Sequence, residues 1–227
     1  MDWHLTTIAD VAATPWRNGG GVTRELAVWP PEGEWQWRMS VADVTADGPF
    51  SHFEGVQRWF AVLQGAGVTL DISGVRHGLT TDSAPLQFDG AADTQCTLLA
   101  GPTQDFNLMV RAPEAWATEY SAPRPPPALR DPPLPAQSTQ SPSLLACSKP
   151  DVVRMLRITA PTSIALDAPK IVAVCAINTW ATALFNSQSI KIPPETLAWR
   201  HFEQSGILTL HSENALWMEI PICTKKR

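Results

Sequence analysis

Residues 14–26 read TPWRNGGGVTREL, and this stretch decides how the rest of the chain is interpreted. Pro15 fixes its own φ and favours extended backbone at the residue before it. The three consecutive glycines allow positive φ angles and close backbone approach. Arg17, Asn18 and Arg24 lie beside them as side-chain donors. We therefore predict a shaped loop that leads into a β-strand, whose arginines either face solvent or line a binding site.

The glycine run does not match a phosphate-binding motif. A Walker loop ends in Gly-Lys-Ser/Thr and opens a helix, whereas Gly21 is followed by Val22, Thr23 and Arg24. The dinucleotide fingerprint needs spaced glycines between a strand and a helix, and the pattern that follows here is typical of a strand. We expect neither type of nucleotide loop.

Composition excludes several function classes. The chain has 227 residues, enough to bury a full core, with 17% charged residues and a net charge of -5. No basic field is available for nucleic acid. No signal peptide and no run of about 20 apolar residues is visible, so no membrane partner is expected. The four cysteines form no Cys-x-x-Cys pair and indicate reduced thiols in a cytoplasmic protein, with Cys96 and Cys175 in the core.

Short alternating segments separated by turn residues predict an all-β sandwich or barrel. The clearest alternation places Trp37, Met39 and Val41 on one face of a strand and Arg38 and Ser40 on the other. The apolar face belongs to a core. The polar face is either solvated or lines a polar cavity.

Such segments occupy two stretches of the chain with a proline-rich boundary between them. Residues 121–150 hold nine prolines and cannot form a strand ladder, so they are predicted to be a linker or surface loop. Similar strand density on both sides suggests a duplicated β module, with halves at residues 1–120 and 151–227. The predicted strands are 24–29, 35–43, 58–63, 68–72, 94–100, 106–111, 152–158, 164–166, 171–177, 182–185, 190–192, 196–202, 207–211 and 216–220.

Motifs for metal binding and nucleophilic catalysis are absent from the sequence. None of the five histidines forms a His-x-His or His-Glu-x-x-His pair. His201 and His211 are the alternative if two neighbouring strands bring them together. There is no Gly-x-Ser-x-Gly elbow and no cysteine in a nucleophile setting. We predict no metal and no cofactor.

Arginines and amides are concentrated in the strands and loops of the first half. A planar guanidinium matches a carboxylate and keeps its charge when partly buried, so several of them at one barrel mouth would form a carboxylate pocket. They could instead alternate outward, or pair with Glu25, Asp43, Asp47 and Asp105. The set comprises Arg17, Asn18, Arg24, Arg38, Ser40, Arg58, Asn107 and Arg111.

Five motifs in the first half, in order, resemble the HutD/Ves family of bacterial proteins. They cover residues 14–25, 37–42, 47–55, 63–67 and 101–111, so the resemblance spans about residues 1–112. It implies a cupin-like double-stranded β barrel, duplicated as a bicupin in one chain. Many cupins hold a metal through His-x-His, which this sequence lacks, so metal-dependent chemistry is not implied.

The resemblance also implies a function and a site. HutD is associated with histidine utilisation, which it is thought to limit or tune by sensing urocanate or formylglutamate, and both ligands carry carboxylates. We therefore predict a non-enzymatic, small-carboxylate-binding sensor or regulatory protein. By position in the motifs, the ligand-binding candidates are Arg17, Asn18, Arg38, Ser40, Asn107 and Arg111.

Other functions stay open. A metal-independent cupin-fold enzyme for a small organic acid would draw on Asp47, His52 and Glu54 as acid–base groups. A stress-related role would follow the resemblance to Ves. The ten tryptophans also allow a homodimer interface.

Overall fold

The computed structural model describes residues 2–111, 152–167 and 169–222. These residues form nineteen β-strands and a single three-residue 3₁₀ helix, Ile8–Asp10. The protein is therefore all-β, as the alternating pattern predicts. Within this part of the chain, no helix has the length and apolar character needed to cross a membrane. The proline-rich residues 121–150, with Cys147 and Cys223, lie outside the described residues.

Eleven strands precede the proline-rich stretch. They are β1 (His4–Thr7), β2 (Thr14–Pro15), β3 (Gly21–Trp29), β4 (Trp37–Val44), β5 (Gly48–Pro49), β6 (Val56–Gln64), β7 (Val68–Ile72), β8 (Val75–Leu79), β9 (Leu86–Asp89), β10 (Thr94–Leu98) and β11 (Thr103–Arg111).

Eight strands follow it. They are β12 (Arg154–Ile158), β13 (Thr162–Leu166), β14 (Lys170–Ala176), β15 (Ala181–Phe185), β16 (Gln188–Ile192), β17 (Thr196–Phe202), β18 (Gly206–His211) and β19 (Ala215–Pro221).

The strands make four antiparallel sheets, two in each half. The first half has a six-stranded sheet, β2-β3-β4-β11-β6-β9, and a four-stranded sheet, β5-β10-β7-β8. The second half has β1-β17-β14-β19-β12 and β13-β18-β15-β16. The orders β4-β11-β6-β9 and β12-β19-β14-β17 correspond strand for strand, as do the two four-stranded orders. Each half thus contains the same eight-strand arrangement.

Strand β1 is an exception to the division of the chain into halves. His4–Thr7 pairs with β17, so these residues extend the large sheet of the second half. The sequence predicted that they belong to the first half, because no local pattern reveals a partner about 190 residues away.

Three hydrophobic cores separate the four sheets. The middle core lies between the two large sheets and contains Trp37, Met39 and Val41 from β4, packed with Met218 from β19. Each half also has a hydrophobic core of its own, and Trp217 is fully buried in that of the second half. Burying a large apolar side chain stabilises the fold by roughly 1.5–3 kcal/mol. The large sheets therefore hold the halves together through their shared core.

Cys96 and Cys175 are free and buried, as predicted from their apolar surroundings. Burial is the main cause that raises the pKa of each thiol to about 12, so both stay neutral at physiological pH.

Several short strands were not predicted, and β8 is one of them. Ser73 and Gly74, with φ of 50° and 87°, join β7 to β8 in a two-residue hairpin. Positive φ at both positions suits the twist of the strands, and the Ser-Gly pair was the available signal for β8.

His201 and His211 belong to β17 and β18, which lie in different sheets. The suggestion that neighbouring strands bring these histidines together is wrong.

Candidate functional site

An open cavity of about 1010 Å³ lies in the first half, inside the six-stranded sheet. Its lining comes from the glycine loop, from β3, β4, β6 and β11, and from the turn at residues 49–53. It is therefore built on the polar face of β4, opposite to the face that packs against the second half.

The cavity floor is a buried polar chain across β6 and β11. The Nη2 of Arg58 donates a hydrogen bond to Oδ1 of Asn107 at 2.8 Å, and Nδ2 of Asn107 donates to Oδ1 of Asp105 at 2.6 Å. Ser40 lies opposite Asn107 on β4 and is also buried. Arg58 is 4% exposed and Asp105 is 1% exposed. Antiparallel pairing brings these groups together although Arg58 and Asn107 are 49 residues apart.

Aromatic rings surround the guanidinium group of Arg58. Its Cζ lies 5.2 Å from the ring centroid of Phe50, 5.7 Å from that of Phe53 and 5.0 Å from that of Phe88. Burial lowers the pKa of Arg58 to about 10, against the opposing effect of Asp105. The group therefore stays cationic at neutral pH, supported by the ring faces.

The carboxyl group of Asp105 is the most perturbed acid in the cavity. Burial raises its pKa to about 8, although the charge of Arg58 and the hydrogen bond from Asn107 both act in the other direction. Asp105 is thus largely protonated at pH 7. Among the described residues, Oδ2 of Asp105 and Nε of Arg58 have no hydrogen-bond partner. Buried polar atoms are normally paired, so these two atoms have unused hydrogen-bonding capacity at the cavity floor.

The wall and rim of the cavity carry two more arginines. Nε of Arg38 lies 2.9 Å from Oε2 of Glu25, and the Arg38 side chain is half-buried. Arg17 and Asn18 are exposed at the rim. A ligand that enters would meet the rim first, then the Arg38–Glu25 pair, then the buried floor.

The glycine loop forms the rim because its backbone folds tightly. The Asn18 side chain accepts a hydrogen bond from the Gly20 N–H at 3.1 Å, and Gly19 has a φ of 72°. A Cβ at Gly21 would collide with the carbonyl oxygen of Asp43. Trp16 lies alongside, also on the cavity lining. The glycines therefore permit a close backbone approach that no larger residue allows.

The structure brings five of the six predicted site residues to this cavity: Arg17, Asn18, Arg38, Ser40 and Asn107. It does not bring Arg111 there. Arg111 lies at the end of β11, where Nη2 is 3.2 Å from Oε1 of Glu34 and Nε donates to the Trp35 carbonyl. Its position on the polar face of the strand was predicted, but the strand extends past the cavity.

Two of the three proposed acid–base groups also lie elsewhere. Asp47 accepts a hydrogen bond from the Leu98 N–H at 2.8 Å, and Glu54 is an exposed turn residue outside the lining. His52 lies on the lining and is exposed.

Two functional candidates, Arg58 and Asp105, were missing from the predicted site. Arg58 belonged to the wider arginine set, and Asp105 was considered only as an ion-pair partner. The signal for both was the period-two pattern: Asp105 shares a strand face with Asn107, and Arg58 shares one with the buried Phe60.

Over residues 2–111, 152–167 and 169–222, no group of three or more His, Cys, Asp or Glu side chains is placed to hold a metal ion.

Two curated bacterial proteins resemble part of this chain. An uncharacterized 21.2 kDa protein from the hutC 3' region of Pseudomonas putida is 38% identical over 115 residues, which is 50% of this chain and 60% of that protein. Protein Ves of Cronobacter sakazakii is 39% identical over 98 residues, which is 42% of this chain and 54% of that protein. The chain thus spans less than two thirds of the length of either relative.

Solved structures resemble nearly the whole chain. HutD from Pseudomonas fluorescens SBW25, solved in a formate condition, has a TM-score of 0.70 at 21% identity and covers 98% of this chain and 100% of that one. A cupin 2 conserved barrel domain protein from Leptotrichia buccalis has a TM-score of 0.54 at 9% identity, with 96% of each chain covered. At these identities the likeness shows the fold, which is cupin-like.

The family follows from the sequence match. A family model described as HutD matches residues 8–141, more than half of the chain. This range includes all five motifs that carry the resemblance in the first half. The protein therefore belongs to the HutD family.

Proposed function

We propose that this protein binds a small carboxylate in the first-half cavity and acts in the cytoplasm as a non-enzymatic sensor or regulatory protein. By analogy with HutD, it would tune histidine utilisation, with urocanate or formylglutamate as candidate ligands. The observation that carries the proposal is that Arg17, Arg38 and Arg58 line one cavity. The two carboxyl groups there are Glu25 and Asp105, and Asp105 is largely neutral at pH 7 because its pKa is about 8.

This arrangement favours an anionic ligand. The whole chain has a net charge of -5, so the arginines make a locally positive cavity in an acidic protein. A guanidinium presents a planar fork of donors to a carboxylate, and the bond is strong where water is excluded. The buried floor at Arg58 is such a place, since that residue is 4% exposed.

We further propose that the fold is a duplicated pair of closed cupin-like barrels. The support is the repeated order of eight strands in the two halves. Duplication would explain why one half carries the cavity while the other serves as its packing partner.

A thermal-shift screen tests the binding proposal. Purified protein is heated with urocanate, formylglutamate, histidine or glutamate, each with and without chelator. A ligand that binds only the folded state stabilises it by RT ln(1 + [L]/Kd), which is about 2.7 kcal/mol at a hundredfold excess over Kd. We expect one acid to raise Tm regardless of chelator. No shift with any acid would contradict the proposal.

A matched pair of variants then locates the site. Arg38→Gln removes a charge from the cavity wall, and a charge-assisted bond contributes about 1.5–3 kcal/mol. We expect its Kd for the acid found in the screen to rise about 10- to 100-fold. Arg111→Gln removes a charge outside the cavity and should leave Kd unchanged. Equal effects of the two variants would place binding elsewhere.

A metal-independent enzyme for a small organic acid is the second candidate function. The pKa of about 8 of Asp105 favours it, because acid–base catalysts titrate near the working pH. His52 lies on the same lining. Turnover of any acid in the screen by chelator-treated protein would support this function. Absence of turnover across the panel would contradict an enzymatic function.

Two broader proposals need other measurements. A stress-related role would follow the similarity to Ves, and a growth phenotype of the deletion strain under stress but not on histidine would favour it.

A homodimer would use exposed tryptophans such as Trp29 and Trp180. A strictly monomeric sedimentation profile would exclude the dimer.

A further inference from the structure

We propose that Asp105 determines the specificity of the cavity by donating a hydrogen bond from its protonated carboxyl group to the bound carboxylate, so that an anion binds only to protein in which Asp105 holds its proton. This inference rests on the proposed function, because it concerns the same cavity. It goes further by naming the group that distinguishes a carboxylate from a ligand with an N–H at the same point.

The hydrogen-bond chain on the floor has one direction. Arg58 can only donate, so Asn107 presents its Oδ1 to Arg58 and its Nδ2 to Asp105. Oδ1 of Asp105 is thereby used as an acceptor. Oδ2 is the open end of the chain, without a partner among the residues that the structure describes.

Charged and titratable groups face Asp105 from the neighbouring strands. Arg58 on β6 favours its ionised form, whereas Asp43 on β4 disfavours it, and Arg38 on β4 lines the same cavity. Cys96 on β10 stays neutral, since its pKa is raised to about 12. Burial outweighs the attraction of Arg58, and the pKa of Asp105 rises to about 8.

The protonated form makes Asp105 useful to an anion. A carboxylate offers only acceptors, so a carboxylic acid O–H beside a guanidinium gives it two donors on the floor. If Asp105 were ionised, it would repel the ligand and neutralise the charge of Arg58. A bound carboxylate therefore raises the proton affinity of Asp105, and binding must weaken as pH rises through its titration.

The test uses acetate as the probe, because acetate is ionised throughout pH 6–9 and contributes no titration of its own. Binding to the full chain is followed by calorimetry, with tryptophan fluorescence as a second signal, since Trp16 lies on the lining. We expect a constant Kd between pH 6 and 7 and a rise of about tenfold per pH unit above pH 8. In lightly buffered solution at pH 8, each acetate bound should take up about half a proton.

Variants separate Asp105 from other causes of pH dependence. Asp105→Asn keeps the shape and cannot titrate, so its affinity for acetate should not vary with pH. Asp71→Asn, in the β7–β8 hairpin outside the cavity, removes a carboxyl group and should keep the pH dependence of the native protein. Arg17→Gln, at the rim, should weaken acetate binding at every pH without changing the slope.

Three outcomes would overturn the inference. If affinity is constant from pH 6 to 9 while Arg17→Gln still weakens it, carboxylate binding stands and the role of Asp105 fails. Affinity that increases with pH would mean that the protonated form of Asp105 is not the form that binds acetate. No response to acetate at any pH would overturn this inference and the proposed function together. Proton uptake by the native protein on binding acetate at pH 8 tests the role of Asp105 even if Asp105→Asn does not fold.

Discussion

The two halves share one strand order but have different interiors. In the first half, the inward face of β11 carries Asp105 and Asn107 and borders an open cavity. In the second half, the corresponding strand β19 carries Trp217 and Glu219, and Trp217 is fully buried in an apolar core. The same backbone arrangement can thus hold a cavity or a filled core, and the inward side chains decide which.

The buried acids of the two halves differ in how completely they are paired. Glu219 accepts a hydrogen bond from Nζ of Lys170 at 2.9 Å with Oε2 and one from Nε1 of Trp217 at 3.0 Å with Oε1. Asp105 uses one oxygen for Asn107 and leaves the other open. Both oxygens of Glu219 have donors within the protein, so this acid has no need of a ligand. The second oxygen of Asp105 has none, so a ligand can bond to it.

The largest expected effect is on the pH dependence of stability. The pKa of Asp105 is about 8 in the folded state and about 3.9 in an unfolded chain, so between these values only the folded state holds the proton. The contribution of Asp105 is therefore present below about pH 4 and is lost as pH rises through 8. Relative to Asp105→Asn, the native protein should lose up to about 1.4 kcal/mol per pH unit in this window.

Urea denaturation of both proteins from pH 4 to 9 measures this difference directly. A constant difference across the window would show that Asp105 is ionised in the folded state, and the contrast between the halves would weaken.

Removing the side chain that fills the second half should have the next largest effect. Trp217→Ala empties a tightly packed core, and we expect a loss of about 3–5 kcal/mol in the free energy of unfolding. Met109→Ala is the comparison in the first half, where a smaller side chain is removed. Met109 already borders the cavity, so its truncation should cause a smaller loss. Equal losses in denaturant titrations would mean that the first-half interior is as tightly packed as the second.

A smaller effect is expected from breaking the polar chain on the cavity floor. Asn107→Ala leaves Arg58 and Asp105 without their shared partner, and an unpaired buried polar group costs about 1–3 kcal/mol. Chemical denaturation at pH 7 measures the loss. Adding the carboxylate found in the screen should recover less stability than in the native protein; full recovery would mean that Asn107 takes no part in the site.

Part of the site followed from the sequence because strand periodicity is local. The alternation in β4 predicted that Met39 faces a core and that Arg38 and Ser40 face the other side, and both hold. It could not predict that Arg111, on the correct face of β11, lies beyond the cavity. That depends on how far the strand extends past its neighbours.

The sequence by itself determined the all-β class, the shaped glycine loop, the faces of the main strands and membership of the HutD family. These follow from backbone periodicity, turn chemistry and motifs within a few residues of each other. Only the tertiary structure decided which arginines meet, since antiparallel pairing joins Arg58 to Asn107 across 49 residues. It also decided that the pKa of Asp105 is raised to about 8, because removal from water, which no local pattern encodes, controls the pKa of that carboxyl group.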